Sequence, residues 1–401
     1  MKILVASHTY IVDLNREKLR ALAQLQPDIE VMIVVPLRWQ PGGVQADQIE
    51  SEVLQEGAFR VVPVSNLSQN NQGLLTFGID LVQLLLHFKP DIIQVEQGAK
   101  SLAYCQFITL NKVLGIQAKN LFFTWWNLPY ELKWPISVLE AYNLRHTDGL
   151  VAGNQDAVKV LQARGYDGPF KVMPQLGVDE RLFQPQPQPE LRRQLGIQPD
   201  EFVIGFVGRF VREKGLLTLA KALGRLTDYP WKWLLVGRGE LKQELKEMAG
   251  ALGIADRLIW IESVPHDQVY RYINVMSTLV LPSESTQQFK TLTSVGWKEQ
   301  FGHVLIEAMA CKVPVIGSDC GEIPNVIGGA GLVFPEQNVE ALQNCLEQLI
   351  TQPLLVQQLG QQGYHRVLEC YTNKALARHL FNFYQELMEI DENRMTDSII
   401  E

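Results

Sequence analysis

Short apolar runs alternate with helix-period segments along almost the whole chain, and this rhythm restricts the fold more than any other feature. In the first half the runs are KILVA (2–6), EVMIVVP (30–36), RVVPV (60–64), DIIQVE (91–96), LFFTWW (121–126), GLVA (149–152) and KVMP (171–174), with helical patterns at 13–25, 76–88, 101–114 and 154–164. The second half repeats the scheme with FVIGFVG (202–208), WKWLLVG (231–237), RLIWIE (257–262), STLVLP (277–282), VPVIGS (313–318) and GLVF (331–334). Helices are expected there around 213–226, 239–252, 266–274, 302–312 and 338–351, followed by a helical tail over 353–390. Runs without polar alternation, separated by helices, mark parallel strands covered on both faces. The Pro/Gln tract at 184–189 interrupts the rhythm, and its alternating prolines favour extended backbone, so it reads as a linker. The expectation is an α/β protein of two Rossmann-like, doubly wound parallel-sheet domains facing a cleft. They would span 1–184 and 190–372, with 373–401 a helix and tail free to pack back on the first domain.

The 401 residues are 46% apolar and 20% charged, rich enough for sizeable cores and too apolar for wholesale disorder. No apolar run reaches the roughly 18–20 residues needed to cross a bilayer. The opening MKILVASHTY reads as a buried strand rather than a signal peptide. A formal charge of −8 weighs against nucleic acid held on a basic face. Cys105, Cys311, Cys320, Cys345 and Cys370 are odd in number, widely spaced and without a CxxC. Reduced thiols in a cytoplasmic setting are therefore expected, with no disulfide framework and no zinc site.

In parallel sheets of this kind, ligands bind outside the carboxyl ends of the strands. The loop after FVIGFVG offers Gly208, Arg209 and Lys214 just where a helix begins. Helix starts attract anions, and a guanidinium fork plus an ammonium suit a diphosphate, although a turn with solvated charges has the same look. A second group runs Glu299-Gln-Phe301-Gly302-His303 and on to Glu307 and Cys311. On a helix Glu307 shares a face with Val304 and Cys311, a mainly apolar stripe on which a carboxylate needs a hydrogen-bonded partner. A ribose diol would supply two donors; an edge residue reaching water would need none. Ser318 to Asn325 is either a further phosphate-side turn or plain helix capping, and Val236-Gly237-Arg238-Gly239 says only that the backbone bends tightly.

Together, VGRFVREKG, LPS and EQFGHVLIEAMACKVPVIGSDCGEIPNVIG resemble the donor half of family 4 glycosyltransferases of the GT-B fold. The likeness covers roughly 200–335 and extends loosely through MPQLGVDERLF (173–183), similar to that family's interdomain segment. It implies a retaining transferase that uses a nucleotide-diphosphate sugar as co-substrate, with no cofactor and no obligatory metal ion. Arg209 and Lys214 would hold the diphosphate, and Glu307 the ribose. Glu299 and the Phe301-Gly302-His303 backbone would lie against the donor sugar, and Val264 near the base. The loop 284–298 would partly cover the sugar.

Two features of that family are missing. The loop after the first strand, Ser7-His8-Thr9-Tyr10, lacks the usual Gly-Gly pair, and Thr124-Trp125-Trp126-Asn127 lacks the usual histidine. Trp126 and Asn127 are candidate replacements, by stacking and hydrogen bonding, and equally well core residues. His8 and Glu96 stand at strand ends as further candidates for acceptor or sugar contacts. His146 and His266 are read as ordinary helix-end residues. The acceptor site is expected on the first domain, in loops at 6–10, 37–44, 96–100 and 126–135. The expected partners are a UDP- or GDP-linked sugar and a glycan or lipid-linked acceptor, with no nucleic acid. A surface helix such as 101–114 leaves peripheral membrane contact open. Two other readings fit the same residues: a nucleotide-sugar epimerase on a GT-B scaffold, and a non-catalytic glycan-binding homologue.

Overall fold

In a computed structural model the chain forms two compact units, Met1–Gly177 with Asn373–Glu401, and Val178–Thr372. The structure describes residues 1–40, 48–262, 264–291 and 293–400, with side chains through 389.

The first unit contains β1 (Lys2–Ala6), β2 (Glu30–Pro36), β3 (Arg38–Trp39), β4 (Ile49–Glu50), β5 (Leu54–Glu56), β6 (Phe59–Val64), β7 (Ile92–Val95), β8 (Lys119–Thr124), β9 (Gly149–Ala152) and β10 (Phe170–Val172). Eight of them form one sheet in the order β10-β9-β8-β7-β1-β2-β6-β5, while β3 and β4 pair separately. Neighbours are parallel, with Ala6 level with Val34 on one side and Val95 on the other. The exception is the edge strand β5, antiparallel to β6, which the apolar runs did not announce. The helices are also shorter than the periodicity suggested. The 76–88 pattern becomes Asp80–Phe88, because Phe77 bridges to Asn66 instead. The 13–25 pattern splits into a 3₁₀ turn and Glu17–Ala23.

Both faces of this sheet are covered, which is why its strands are apolar throughout. Phe107, Leu81, Leu85 and Leu161 cover one face. On the other, Leu19 and Leu22 are joined by Leu376, Leu380, Phe383, Tyr384 and Leu387 of the helix Asn373–Ile400. That helix fits tightly: a Cβ on Gly149 would meet Leu387 at 2.6 Å. Each such side chain contributes roughly 1.5–3 kcal/mol by leaving water.

The second unit contains β11 (Phe202–Val207), β12 (Trp231–Val236), β13 (Leu258–Ile261), β14 (Thr278–Leu281), β15 (Thr286–Lys290), β16 (Val295–Trp297), β17 (Val315–Ser318) and β18 (Leu332–Phe334). Six form a fully parallel sheet, β13-β12-β11-β14-β17-β18. The segment 284–298, expected as a loop, is instead largely an antiparallel hairpin of β15 and β16. Leu292 of this segment lies outside the described residues, as do residues 41–44 of the expected 37–44 loop. No described helix is long and apolar enough to cross a membrane.

Candidate functional site

The chain reverses direction across the second sheet between β11 and β14, so the loops leaving these two strands diverge and open a crevice at their carboxyl ends. Gly208 ends β11 at φ +152°. A Cβ on Gly237 would come within 1.9 Å of the Gly208 carbonyl oxygen, so the two strand ends require glycine to sit this close. Phe210 donates its N–H to the Arg238 carbonyl, bracing the loop that carries Arg209. Gly215, at φ +64°, follows Lys214, and a Cβ there would strike the Pro282 carbonyl at 1.8 Å. These contacts fix the β11 loop against the β14 loop.

Lys214 and Glu299 meet in this crevice. The ammonium lies 2.5 Å from Glu299 Oε2, and the Ser283 hydroxyl donates to the same oxygen at 2.8 Å. Both side chains are mostly buried, and the ammonium also stands 5.1 Å from the Trp297 ring centre. The 318–325 segment supports Glu299. Ser318 donates to the Ser283 carbonyl, Glu322 donates its N–H to the Glu299 carbonyl, and Gly321 packs on that same carbonyl. Arg209 is 71% exposed, its guanidinium 3.8 Å from Glu213, so it is loosely held.

Glycine at 302, with φ +84°, starts the helix His303–Ala310, and a Cβ there would press on Leu281. Gly302 has no side chain to cap this helix, whose start carries the positive end of the dipole. Phe301 is buried edge-on against Tyr371, which leaves its backbone rather than its ring for recognition. Val264 is half-buried just beyond β13.

Glu307 is buried on its helix, and the donor it needs is a side chain that the sequence reading passed over. His266 Nε2 lies 2.9 Å from Glu307 Oε1, and this hydrogen bond raises the imidazole pKa above its ordinary value. His266 is therefore more than a helix-start residue. The partnership spans 41 residues and leaves no mark in local sequence.

In the first unit the corresponding reversal lies between β1 and β7. His8 follows β1 with its ring 4.9 Å from Trp39. Its Nδ1 is buried without a hydrogen-bond partner among the described residues, and burial lowers the pKa to about 4. Glu96, a candidate for acceptor or sugar contact, is buried at the end of β7 among partners from its own unit. Its carboxylate is buried and accepts from Tyr10 at 2.6 Å, Gln94 at 2.7 Å and Gln175 at 2.8 Å, with Lys18 at 3.6 Å. Trp126 donates its indole N–H to Leu128, and a ring face is covered by Lys100 at 4.6 Å, so stacking on a sugar is restricted. Asn127 is buried.

Residues 187–366, most of the second unit, match the family model described as glycosyl transferases group 1. Among curated proteins, the chain is 26% identical over 219 residues to the N-acetyl-alpha-D-glucosaminyl L-malate synthase of Bacillus anthracis, covering 54% of each. It is 28% identical over 212 residues to the D-inositol 3-phosphate glycosyltransferase of Thermobifida fusca, covering 47% of this chain and 44% of that protein. The chain thus spans about half the length of the curated relatives it matches. Across almost its full length, 97% of this chain and 100% of the other, it superposes on a sucrose-phosphate synthase from Thermosynechococcus elongatus with a TM-score of 0.68 at 19% identity. Anabaena HepE, solved with UDP and glucose, gives 0.65 at 16% identity over 96% of this chain and all of that one. These likenesses establish the GT-B fold.

Proposed function

We propose that this member of the glycosyl transferases group 1 is a retaining glycosyltransferase that moves a hexosyl group from a UDP- or GDP-linked sugar to a glycan or lipid-linked acceptor, in cytoplasmic polysaccharide or glycoconjugate biosynthesis. The observation that carries this reading is the meeting of Lys214 and Glu299 at the switch point of the second sheet. A mostly buried ammonium and a helix start at a strand-end crevice suit a diphosphate.

The chemistry follows from charge. As the glycosidic bond breaks, negative charge gathers on the diphosphate while the sugar becomes oxocarbenium-like. Lys214 has three donors, so it keeps its bond to Glu299 while turning others to the phosphate oxygens. Arg209, exposed and loosely held, closes on the diphosphate from the solvent side. The positive end of the helix that starts at His303 adds to this field, which makes an obligatory divalent ion unnecessary. Glu307 offers the ribose its Oε2, because Oε1 already accepts from His266. Glu299 and the backbone at Phe301 face the donor sugar, and Val264 lies beside the base.

A thermal-shift screen against UDP-, GDP- and ADP-sugars tests the donor. Binding at 100-fold Kd stabilises by about 2.7 kcal/mol, readily visible as a shift in Tm. Transfer with unchanged anomeric configuration by NMR, undiminished by EDTA, is the expected result. Turnover without any acceptor would favour an epimerase, and absence of nucleotide-sugar binding a non-catalytic protein.

A further inference from the structure

One lysine in the first unit is placed against its own electrostatic interest. Lys100 lies between β7 and the helix Leu102–Val113, with its ammonium 3.8 Å from the Tyr130 ring centre and 4.6 Å from that of Trp126. Two ring faces attract a cation but leave its N–H donors without acceptors. No hydrogen bond or ion pair to Lys100 exists among the described residues. The nearby carboxylate of Glu140 is already engaged by the Tyr130 hydroxyl and by Arg164 Nε.

Partial burial and the Arg164 charge both oppose an ammonium here. Their combined effect is a pKa lowered to about 8, with burial the largest cause and Glu140 opposing it. A methionine would fill the same aromatic seat without this cost. Three residues earlier, Gln97 has its side-chain oxygen occupied by the Ser101 hydroxyl, while its Nε2 is buried with no acceptor. At the carboxyl edge of the first sheet, one short loop therefore holds a half-buried ammonium without an acceptor, beside a buried amide donor that also has none among the described residues.

We propose that Lys100, seated between Trp126 and Tyr130, is an anion-recognition point on the first unit, and that the acceptor substrate carries a phosphate or carboxylate group that takes hydrogen bonds from it. The assignment of that anion to an acceptor rests on the glycosyltransferase reading. The anion site itself does not.

Calorimetric titration of the full chain separates the two. With UDP saturating, so that the nucleotide phosphates hold the second unit's cations, inorganic phosphate, succinate and neutral glucose are added in turn. Binding of phosphate identifies a phosphate group and binding of succinate a carboxylate. Affinity should fall tenfold or more in Lys100→Met, with UDP affinity unchanged. It should also fall between pH 7 and pH 9.5 in the unaltered protein, although phosphate gains charge over that range, and stay flat in the variant. Lys100→Gln gives a second neutral side chain should the methionine variant misfold. If neither anion binds the UDP-loaded protein, or both neutral variants bind it equally well, the anion site is refuted. If UDP itself fails to bind, the transferase reading falls, and the same titrations without nucleotide still decide the role of Lys100.

Discussion

Replacing Lys214 by alanine separates what the Lys214–Glu299 pair does for the fold from what it does for a ligand. The two charges lie 2.5 Å apart with side-chain exposures of 16% and 10%. Their direct attraction at an effective dielectric near 20 is about 6–7 kcal/mol, much of it offset by desolvation of both ions. Losing one member of a buried pair typically costs about 3–5 kcal/mol, because the other charge is left uncompensated. Ser283 still donates to Glu299 in the variant, and some water reaches the site, so about 2–3 kcal/mol is expected here. For a unit of this size that is a fall in Tm of roughly 4–12 °C.

Urea denaturation of Lys214→Ala, Glu299→Gln and the double variant measures the coupling. The neutral amide removes the stranded charge, so the double variant should be at least 1.5 kcal/mol more stable than the sum of the single effects implies. Nucleotide binding must divide differently. Lys214→Ala is expected to lose 100-fold or more in UDP affinity, while Glu299→Gln keeps it within a few-fold and loses turnover. Stability effects that simply add, to within about 0.5 kcal/mol, would refute the buried pair. Unchanged UDP affinity in Lys214→Ala would refute its phosphate role.

Three further outcomes follow from single positions. The His266 imidazole should titrate above its ordinary 6.5 by NMR and drop back in Glu307→Gln, since the hydrogen bond to Glu307 is the main cause of its shift. Its raised pKa makes this contact stabilising below pH 6.5, and the contribution disappears as pH rises through the folded value. His8 behaves oppositely. With a folded pKa of about 4 against 6.5 unfolded, it stays neutral in the native state and costs stability as pH falls through that interval, up to about 3 kcal/mol, a loss that His8→Phe should remove from an acid-denaturation profile. Gly237→Ala drives a Cβ against the Gly208 carbonyl and should destabilise by about 3 kcal/mol or more; a melting temperature equal to the parent's would contradict the close approach.

The central strands were legible because burial on two faces leaves an unbroken apolar run, as in FVIGFV and EVMIVVP. Edge elements follow another rule. LQE of β5 and TQQFK of β15 are polar, carry only one covered face or none, and so resemble loops in the sequence. Strand ends were legible as places but not as roles. Glu96 closes the run DIIQVE, where a carboxylate facing a ligand and one facing the core have the same local sequence. Gln94, two residues earlier and on the same face, Tyr10, 86 residues earlier, and Gln175, 79 later, decide for the core.

The same logic explains why Glu307 was read with its ligand and without its protein partner. A buried carboxylate must have a donor in every state of the molecule, including the one before nucleotide arrives. The stripe of Val304, Glu307 and Cys311 therefore implied some donor, and a ribose was one answer that sequence spacing allowed. His266 supplies it to Oε1, so in the proposed donor site Glu307 would be a carboxylate already oriented, with one oxygen to give rather than two. His266→Phe should then weaken nucleotide binding by loosening Glu307, whereas Glu307→Gln should weaken it by removing the charge and turning one of the two acceptor oxygens into a donor. Measured together, the double variant should lose no more affinity than Glu307→Gln alone. Additive losses would mean that His266 touches the nucleotide directly, and the orienting role argued from the 2.9 Å contact would be wrong.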